Sequence, residues 1–115
     1  MALKRYAATS VTSGGASTIT VNGETIQMVN VFTVPSSSEG AIVNYTINGG
    51  TNGGVAVIAV YRSSSLLDKI ELSIGPSDCV SVATKEFLEA GDVLRFGSDA
   101  AGLTIAVSCD VSATA

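Results

Sequence analysis

The strongest constraint on the fold is the strict alternation of apolar and polar residues over positions 103–111. The odd-numbered positions hold Leu, Ile, Val, Cys and Val, and the positions between them hold Thr, Ala, Ser and Asp. Because successive side chains of a strand point to opposite faces, this pattern predicts a strand with one buried and one solvated face. A Gly/Ser/Asp/Ala turn joins it to a second strand-like run at residues 92–96, so the two runs predict a β-hairpin.

The rest of the chain also divides into short strand-like runs separated by turn signals. Residues 17–21 and 25–32 flank Asn22-Gly23, a pair that tolerates positive φ and favours a two-residue hairpin turn. The other runs are residues 41–48, 55–61, 66–72, 79–83 and 86–89. About eight strands with no helix-period stretch predict an all-β protein, namely an antiparallel β-sandwich with jelly-roll-like connectivity, or a barrel.

Three internal segments carry more specific expectations. Residues 41–48 alternate, with positions 41, 43, 45 and 47 predicted to share one face. Residues 55–61 are apolar on both faces, which predicts cover on both sides, either within the sandwich or from a neighbouring subunit. Residues 48–54 contain four glycines and predict a flexible loop, since a phosphate-binding loop would need a following helix and a Lys-Ser/Thr pair.

The 115 residues are expected to form one domain, residues 17–115, preceded by an N-terminal arm, residues 1–16. The arm is rich in Ser, Thr and Gly and has little apolar surface with which to order itself. It is therefore either a disordered tail or a segment that becomes ordered against a partner. The residues predicted to make that contact are Leu3, Lys4, Arg5 and Tyr6.

The two cysteines, Cys79 and Cys109, allow two interpretations. They are either buried thiols that act as small apolar side chains, or they form a disulfide between neighbouring strands or between subunits. No apolar segment follows the charged residues near the N-terminus, so no secretory signal is expected and synthesis in a cytoplasm is predicted. Cytoplasmic synthesis disfavours the disulfide unless oxidation follows release.

Charge limits the kinds of partner that this chain is expected to bind. The net charge is −4, which disfavours nucleic acid, and no apolar run approaches the roughly 20 residues of a membrane span. Only 14% of the residues are charged, against about 25% in a typical soluble domain. A sheet-rich chain with so few charges has little protection against edge pairing, so we expect partners to cover much of its surface; the alternative is a monomer coated with Ser and Thr.

Catalytic chemistry is not expected from the residue types present. The chain has no His, which excludes Ser-His-Asp and Cys-His nucleophile systems and His-containing zinc sites. Glu89 and Asp92 could form a pair of glycosidase carboxylates, but charges solvated in a turn are the ordinary interpretation. We therefore expect no enzyme activity, no cofactor and no metal.

Two stretches carry a family resemblance. One is the sequence VFTVP at 31–35, followed by a polar loop and GAIV at 40–43; the other is FLEAGDVLRF at 87–96, followed by AAGL at 100–103. With the Gly/Asn-rich loop between them, residues 29–111 resemble a widespread group of small structural proteins of tailed bacteriophages. The chain departs from that group at SSSE, 36–39, where the group typically has Ala-Gly-Lys.

The resemblance implies a virion β-sandwich, often trimeric, that decorates a head or builds a tail or fibre tip. The expected function is that of a capsid decoration (cement) protein that binds and stabilises the head shell. Its expected partners are the major capsid protein or other virion proteins and further copies of itself in a homotrimer. Its expected location is the virion, after synthesis in the host bacterial cytoplasm. The alternative is a tail-fibre or head-fibre module whose loop 48–54 binds a host receptor.

Overall fold

The computed structural model of the protein describes residues 3–113, which form nine β-strands and no helix. In chain order the strands are β1 (Leu3–Thr9), β2 (Ser17–Val21), β3 (Glu24–Thr33), β4 (Ser38–Asn48), β5 (Gly54–Arg62), β6 (Ser65–Ile74), β7 (Cys79–Leu88), β8 (Val93–Ser98) and β9 (Thr104–Ala113). They build two antiparallel sheets, so the predicted all-β sandwich is confirmed. The two runs predicted at 79–83 and 86–89 form one strand, β7, and β1 is a strand that was not predicted.

The pairing of the strands is nested. The four-stranded sheet has the order β1-β9-β4-β7, and the five-stranded sheet has the order β2-β3-β8-β5-β6. Within them β1 pairs with β9, β3 with β8, β4 with β7, and β5 with β6. The chain therefore resembles one long hairpin rolled over a common core, with β2 added beside β3. Both β1 and β7 are left at open edges of the same sheet.

The hairpin predicted for residues 92–96 and 103–111 does not form. The strand β8 pairs with β3 and β5, whereas β9 pairs with β1 and β4 in the other sheet. Residues 99–103 cross from one sheet to the other, and Leu103 is fully buried at the end of this crossing. Two strands can bury their apolar faces by packing across a sandwich in different sheets, or by pairing as neighbours in one sheet. Alternation alone therefore did not determine the strand partner.

The main core lies between the two sheets. It includes Phe96 and Ile58 from the five-stranded sheet and Ile47 and Val107 from the four-stranded sheet, all 5% exposed or less. In β9, Ile105, Val107 and Cys109 are buried as predicted and Val111 is partly buried, whereas Thr104 on the other face is exposed. The alternation at 103–111 therefore correctly predicted which face of β9 is buried.

A second, smaller cluster covers the other face of β5. Val57 and Ala59 are almost fully buried there against Ile26 and Met28 of the β2–β3 hairpin. The approach to β8 is so close that a Cβ on Gly97 would lie 2.6 Å from the Met28 sulfur. The cover predicted for both faces of residues 55–61 is thus supplied by the chain itself.

Residues 3–10 of the predicted arm are part of the sandwich. All seven residues of β1 pair with β9, and the ring of Tyr6 stacks on that of Phe32 at a centroid distance of 4.4 Å. Beyond β1, Ser10 is buried; its hydroxyl donates to the Ala100 carbonyl and accepts from the Leu103 amide. Composition did not predict β1 because backbone hydrogen bonds to the edge of β9 order this segment despite its few apolar side chains.

The glycine-rich loop at 48–54 is held by close backbone contacts. The Gly49 amide donates to the Asp78 carbonyl, and the Ser77 amide donates to the Gly50 carbonyl. A Cβ on Gly50, whose φ is +63°, would lie 2.7 Å from the Gly102 carbonyl oxygen. The glycines thus allow three turns to pack together at one end of the sandwich, which differs from the flexible loop that their number predicted.

Candidate interaction surfaces

Of the four contact residues predicted in the arm, three face solvent and one packs against the core. Leu3, Lys4 and Arg5 are exposed on β1, with Leu3 63% exposed. Tyr6 points inward and is engaged by Phe32, so it has a partner within its own chain. The structure thus keeps three of the four predicted contact residues available at an open sheet edge.

The two cysteines are free thiols that lie far apart. Cys109 is buried in the core, and burial raises the pKa of its thiol, whereas Cys79 is exposed. Along β4, Cys79 is opposite Asn48 and Cys109 is opposite Ile42, a separation of roughly 20 Å along the strand. A disulfide needs Cα atoms within about 7 Å, so an internal bond is excluded. The buried-thiol interpretation holds for Cys109 and is wrong for Cys79.

Asp92 is not the solvated turn charge that the sequence suggested. Its side chain is 1% exposed, and its two oxygens accept hydrogen bonds from Nε and Nη2 of Arg62 at 2.8 and 2.9 Å. The Glu89 amide donates a third bond at 2.8 Å. Hydrogen bonding by the guanidinium lowers the pKa of Asp92 from its ordinary value, so the carboxylate is held ionised. The Glu89 carboxylate is largely exposed and also contacts Arg62, at 3.0 Å.

The same corner brings together the two stretches that carry the resemblance. The Val34 amide donates to the Asp92 carbonyl, and the Gly91 amide donates to the Val34 carbonyl, both at 2.9 Å. Val34 is 1% exposed, so packing of its side chain in the core holds the TVP segment in addition to the hydrogen bonds. The TVP and AGD segments, more than fifty residues apart in sequence, therefore form one structural unit at one end of the sandwich.

An open groove lies between the edge strands β6 and β7. Leu67 of β6 and Phe87 of β7 line it together with Val60 and Leu88, and its volume is ≈ 320 Å³. Phe87 is 78% exposed, the highest value among the large apolar side chains of residues 3–113. A second open groove, ≈ 340 Å³, lies on its other side and includes Ala41. The phenyl ring thus forms a ridge between two grooves at the edge of the four-stranded sheet.

Two carboxyl groups meet beside this groove. Glu86 of β7 points toward the space between the sheets, where Asp68 of β6 lies within hydrogen-bonding reach. Burial, the hydrogen bond with Asp68 and the negative charge of Asp68 together raise the pKa of Glu86 to about 7. The apolar residues around them include Ile42 and Ile70. A cation brought to this edge would therefore meet an acidic site that can change its charge near neutral pH.

The exposure of Phe87 could have been predicted from the sequence, but the residue was assigned only to the FLEAGDVLRF stretch of the resemblance. From Cys79 the residues at odd positions are Cys, Ser, Ala, Lys and Phe, so the phenyl ring continues the exposed face of β7. The Glu86–Asp68 pair has no such signal, because it depends on two edge strands from different sheets lying side by side.

Residues 3–113 contain no group of three or more Cys, Asp or Glu side chains placed to hold a metal ion. No helix within this range is long and apolar enough to cross a membrane. No protein-family model matches the chain, and no curated protein is significantly similar to it.

Proposed function

We propose that this protein is a structural component of a tailed-bacteriophage virion that decorates the head shell and stabilises it. The proposal is supported by the resemblance of residues 29–111 to small phage structural proteins. The observation that carries it is the hydrogen-bonded corner in which the TVP and AGD segments meet, because the two stretches of resemblance are one element of the fold. Each segment on its own is only a turn followed by a strand.

The connectivity adds support. The nested pairing of β1 with β9, β3 with β8, β4 with β7 and β5 with β6 is the pattern of a jelly roll, with β2 as an added edge strand. Jelly rolls occur in viral capsid proteins, and also in lectins and cupins, so the fold raises the expectation without fixing the function. We propose on this basis that the fold is a jelly roll.

The surface also fits a protein that works in contact with others. Leu3, Leu66, Leu67 and Phe87 are large apolar residues that are each more than 45% exposed, and they lie on strands at open sheet edges. Two of them, Leu67 and Phe87, line the same groove, and a contiguous exposed apolar patch is typical of an interaction site. In this proposal the partners are the major capsid protein or other virion proteins and further copies of the chain, the assembly is a homotrimer, and the location is the virion.

The test is reconstitution on purified phage heads that lack the protein. Added protein should co-sediment with the heads at a saturating ratio, and it should raise their melting temperature and their resistance to chelation. Heads that bind no protein, or that melt identically with and without it, would contradict the proposal. Protein unfolded by heat before addition controls for non-specific adsorption.

A host-adsorption assay separates this function from the receptor-binding alternative. Free protein that blocks adsorption of intact phage to cells, without binding heads, would replace the decoration role by a fibre role. The glycines of loop 48–54, the receptor-binding tip in this alternative, are engaged in turn packing, and its exposed side chains are Asn48, Thr51 and Asn52. A decoration protein is expected to leave adsorption unchanged.

A further inference from the structure

The four-stranded sheet ends in two open edges of different character. One edge is β1, seven residues long, which carries Lys4 and Arg5 and no acidic residue. The other is β7, ten residues long, which carries Glu86 beside Asp68. An unpaired edge strand offers backbone donors and acceptors to any strand that fits beside it.

We infer that copies of this chain pair edge to edge, with β1 of one copy lying antiparallel against β7 of the next. The direction follows from the sheet itself. Because β1, β9, β4 and β7 are each antiparallel to their neighbour, β1 is antiparallel to β7. A second copy placed beside the first in the same orientation therefore continues the sheet with an antiparallel ladder. This contact does not depend on binding to a shell.

The register of the sheet indicates which residues would meet. One row across the sheet runs Leu3, Asp110, Ala41, Phe87. The next row runs Lys4, Cys109, Ile42, Glu86. Extending each row into the neighbouring copy places Leu3 beside Phe87 and Lys4 beside Glu86. Cross-strand neighbours of this kind have Cβ atoms about 5 Å apart, close enough for direct contact.

Both contacts suit the side chains involved. Leu3 and Phe87 are 63% and 78% exposed, so bringing them together removes two isolated apolar groups from water. Lys4 would place a cation beside Glu86, next to the carboxylate of Asp68. Lys85 is the basic residue on β7, and it lies where the register of β7 against β4 shifts, outside the two rows.

Pairing between identical edges is less favourable. Two β1 strands paired antiparallel along their full length would place Leu3 opposite Thr9 and Lys4 opposite Ala8, so neither the apolar nor the charged contact would form. Two β7 strands would offer Glu86 no cation other than Lys85. The favoured contact is therefore heterologous. Each copy pairs its β1 with β7 of one neighbour and its β7 with β1 of another, which closes a ring or extends a filament of copies.

A single cysteine substitution tests the register. A further row runs Thr9, Thr104, Asn48, Cys79, so Thr9→Cys would stand beside the exposed Cys79 of the neighbouring copy. Between this row and that of Lys4 and Glu86, β7 has two residues more than β1, so the proposed ladder carries a β-bulge on β7 near Lys85. With oxidised glutathione, which takes up the two electrons and leaves as two reduced molecules, most of the T9C protein should become covalent oligomers on a non-reducing gel. Failure of T9C to cross-link would overturn the inference.

Three controls make the cross-link specific. T9C combined with Cys79→Ser should give no covalent oligomer. Ala7→Cys, on the same face but two residues along β1, lies opposite Ser81 and should cross-link much less than T9C. The unsubstituted protein should also stay uncross-linked. Equal cross-linking of T9C, A7C and the unsubstituted chain would mean random collision or a β7–β7 contact, and would overturn the proposed pairing.

A charge exchange tests the contact without cysteines. Sedimentation velocity of the unsubstituted chain should show oligomers, and Lys4→Glu or Glu86→Lys should each weaken the association at least about tenfold. The K4E/E86K double variant should recover most of it, because the pair is restored with its charges reversed. A chain that remains monomeric at high concentration would overturn the inference and leave the edges to a strand of another protein. A double variant as weak as the singles would also overturn it.

Discussion

At the scale of single residues, Asp92 is the charged group on which one end of the sandwich depends. Replacing it by Ala removes both bonds from Arg62 and leaves the Glu89 amide without its acceptor. We expect D92A to lower the free energy of unfolding by about 2–3 kcal/mol, measured by urea denaturation. Asp78→Ala, in an exposed turn at the opposite end, is the control and should change it by less than about 0.5 kcal/mol. Equal losses would contradict this role for Asp92.

Glu86 should give the protein an unusual pH dependence. Its pKa is about 7 in the folded chain, against an ordinary value of 4.5. The folded state then binds the proton more tightly than the unfolded state, so stability falls as the pH rises from about 4.5 to about 7. Glu86→Gln cannot ionise and should be more stable than the unsubstituted chain at pH 8, by about 1 kcal/mol after allowance for solvent screening, and similar at pH 5.

Thermal melts between pH 5 and 8, at protein concentrations too low for association, measure this difference. Lys69→Gln removes a nearby ion pair on the exposed surface of β6 and serves as the control, since it should leave the pH dependence unchanged. Parallel melting curves for E86Q and the unsubstituted chain across this range would show that Glu86 does not carry the effect.

At the scale of secondary structure elements, β1 is a docked strand rather than an arm, and two substitutions distinguish these possibilities. Tyr6→Ala removes the ring that stacks on Phe32 between the sheets, so we expect a loss of about 2 kcal/mol in the free energy of unfolding. Leu3→Ala, in the same strand but 63% exposed, should cost less than about 0.5 kcal/mol. Urea denaturation measures both. A free arm would give no loss from either substitution.

The positions of the strands could be predicted from the sequence because side-chain alternation is a local property. The run at 41–48 shows where this fails: the register shifts between Ile42 and Asn44, so Ile42 is buried while Val43 is 40% exposed. A β-bulge adds one residue and reverses the faces beyond it, and the sequence carries no separate signal for it here.

Pairing between strands could not be predicted for a different reason. Several partners satisfy the same alternating pattern, and the choice among them depends on contacts between residues far apart in the chain. The same limit applies to the candidate interaction surface, because part of it depends on contacts between distant residues. Leu3, Lys4 and Arg5 were predicted as contact residues from the sequence alone, whereas the Glu86–Asp68 pair appears only when β6 and β7 lie side by side. The residue types of the surface could be predicted from the sequence, but the contact between residues of different strands could not.

At the scale of the whole molecule, the nested topology makes folding depend on the pairing of the first strand with the last. Leu3 lies opposite Asp110, so the two ends of the described chain lie close together at one end of the sandwich. Closing this pair from a separation of about a hundred residues carries a loop-entropy cost that a local connection would avoid. Strand pairs distant in sequence also slow folding generally, so this topology predicts slow refolding for a chain of this size.

A circular permutant tests this reasoning. A linker of about five Gly and Ser residues would join Ala113 to Leu3, and new ends would open at the Asn22-Gly23 turn. Since β9 and β1 become neighbours in sequence, the permutant should keep the native circular dichroism spectrum and refold about three- to tenfold faster in stopped-flow experiments. A second permutant with the same linker, opened between Thr51 and Asn52, should show a similar gain. If both refold no faster than the natural chain order, closure of the β1–β9 pair does not limit folding.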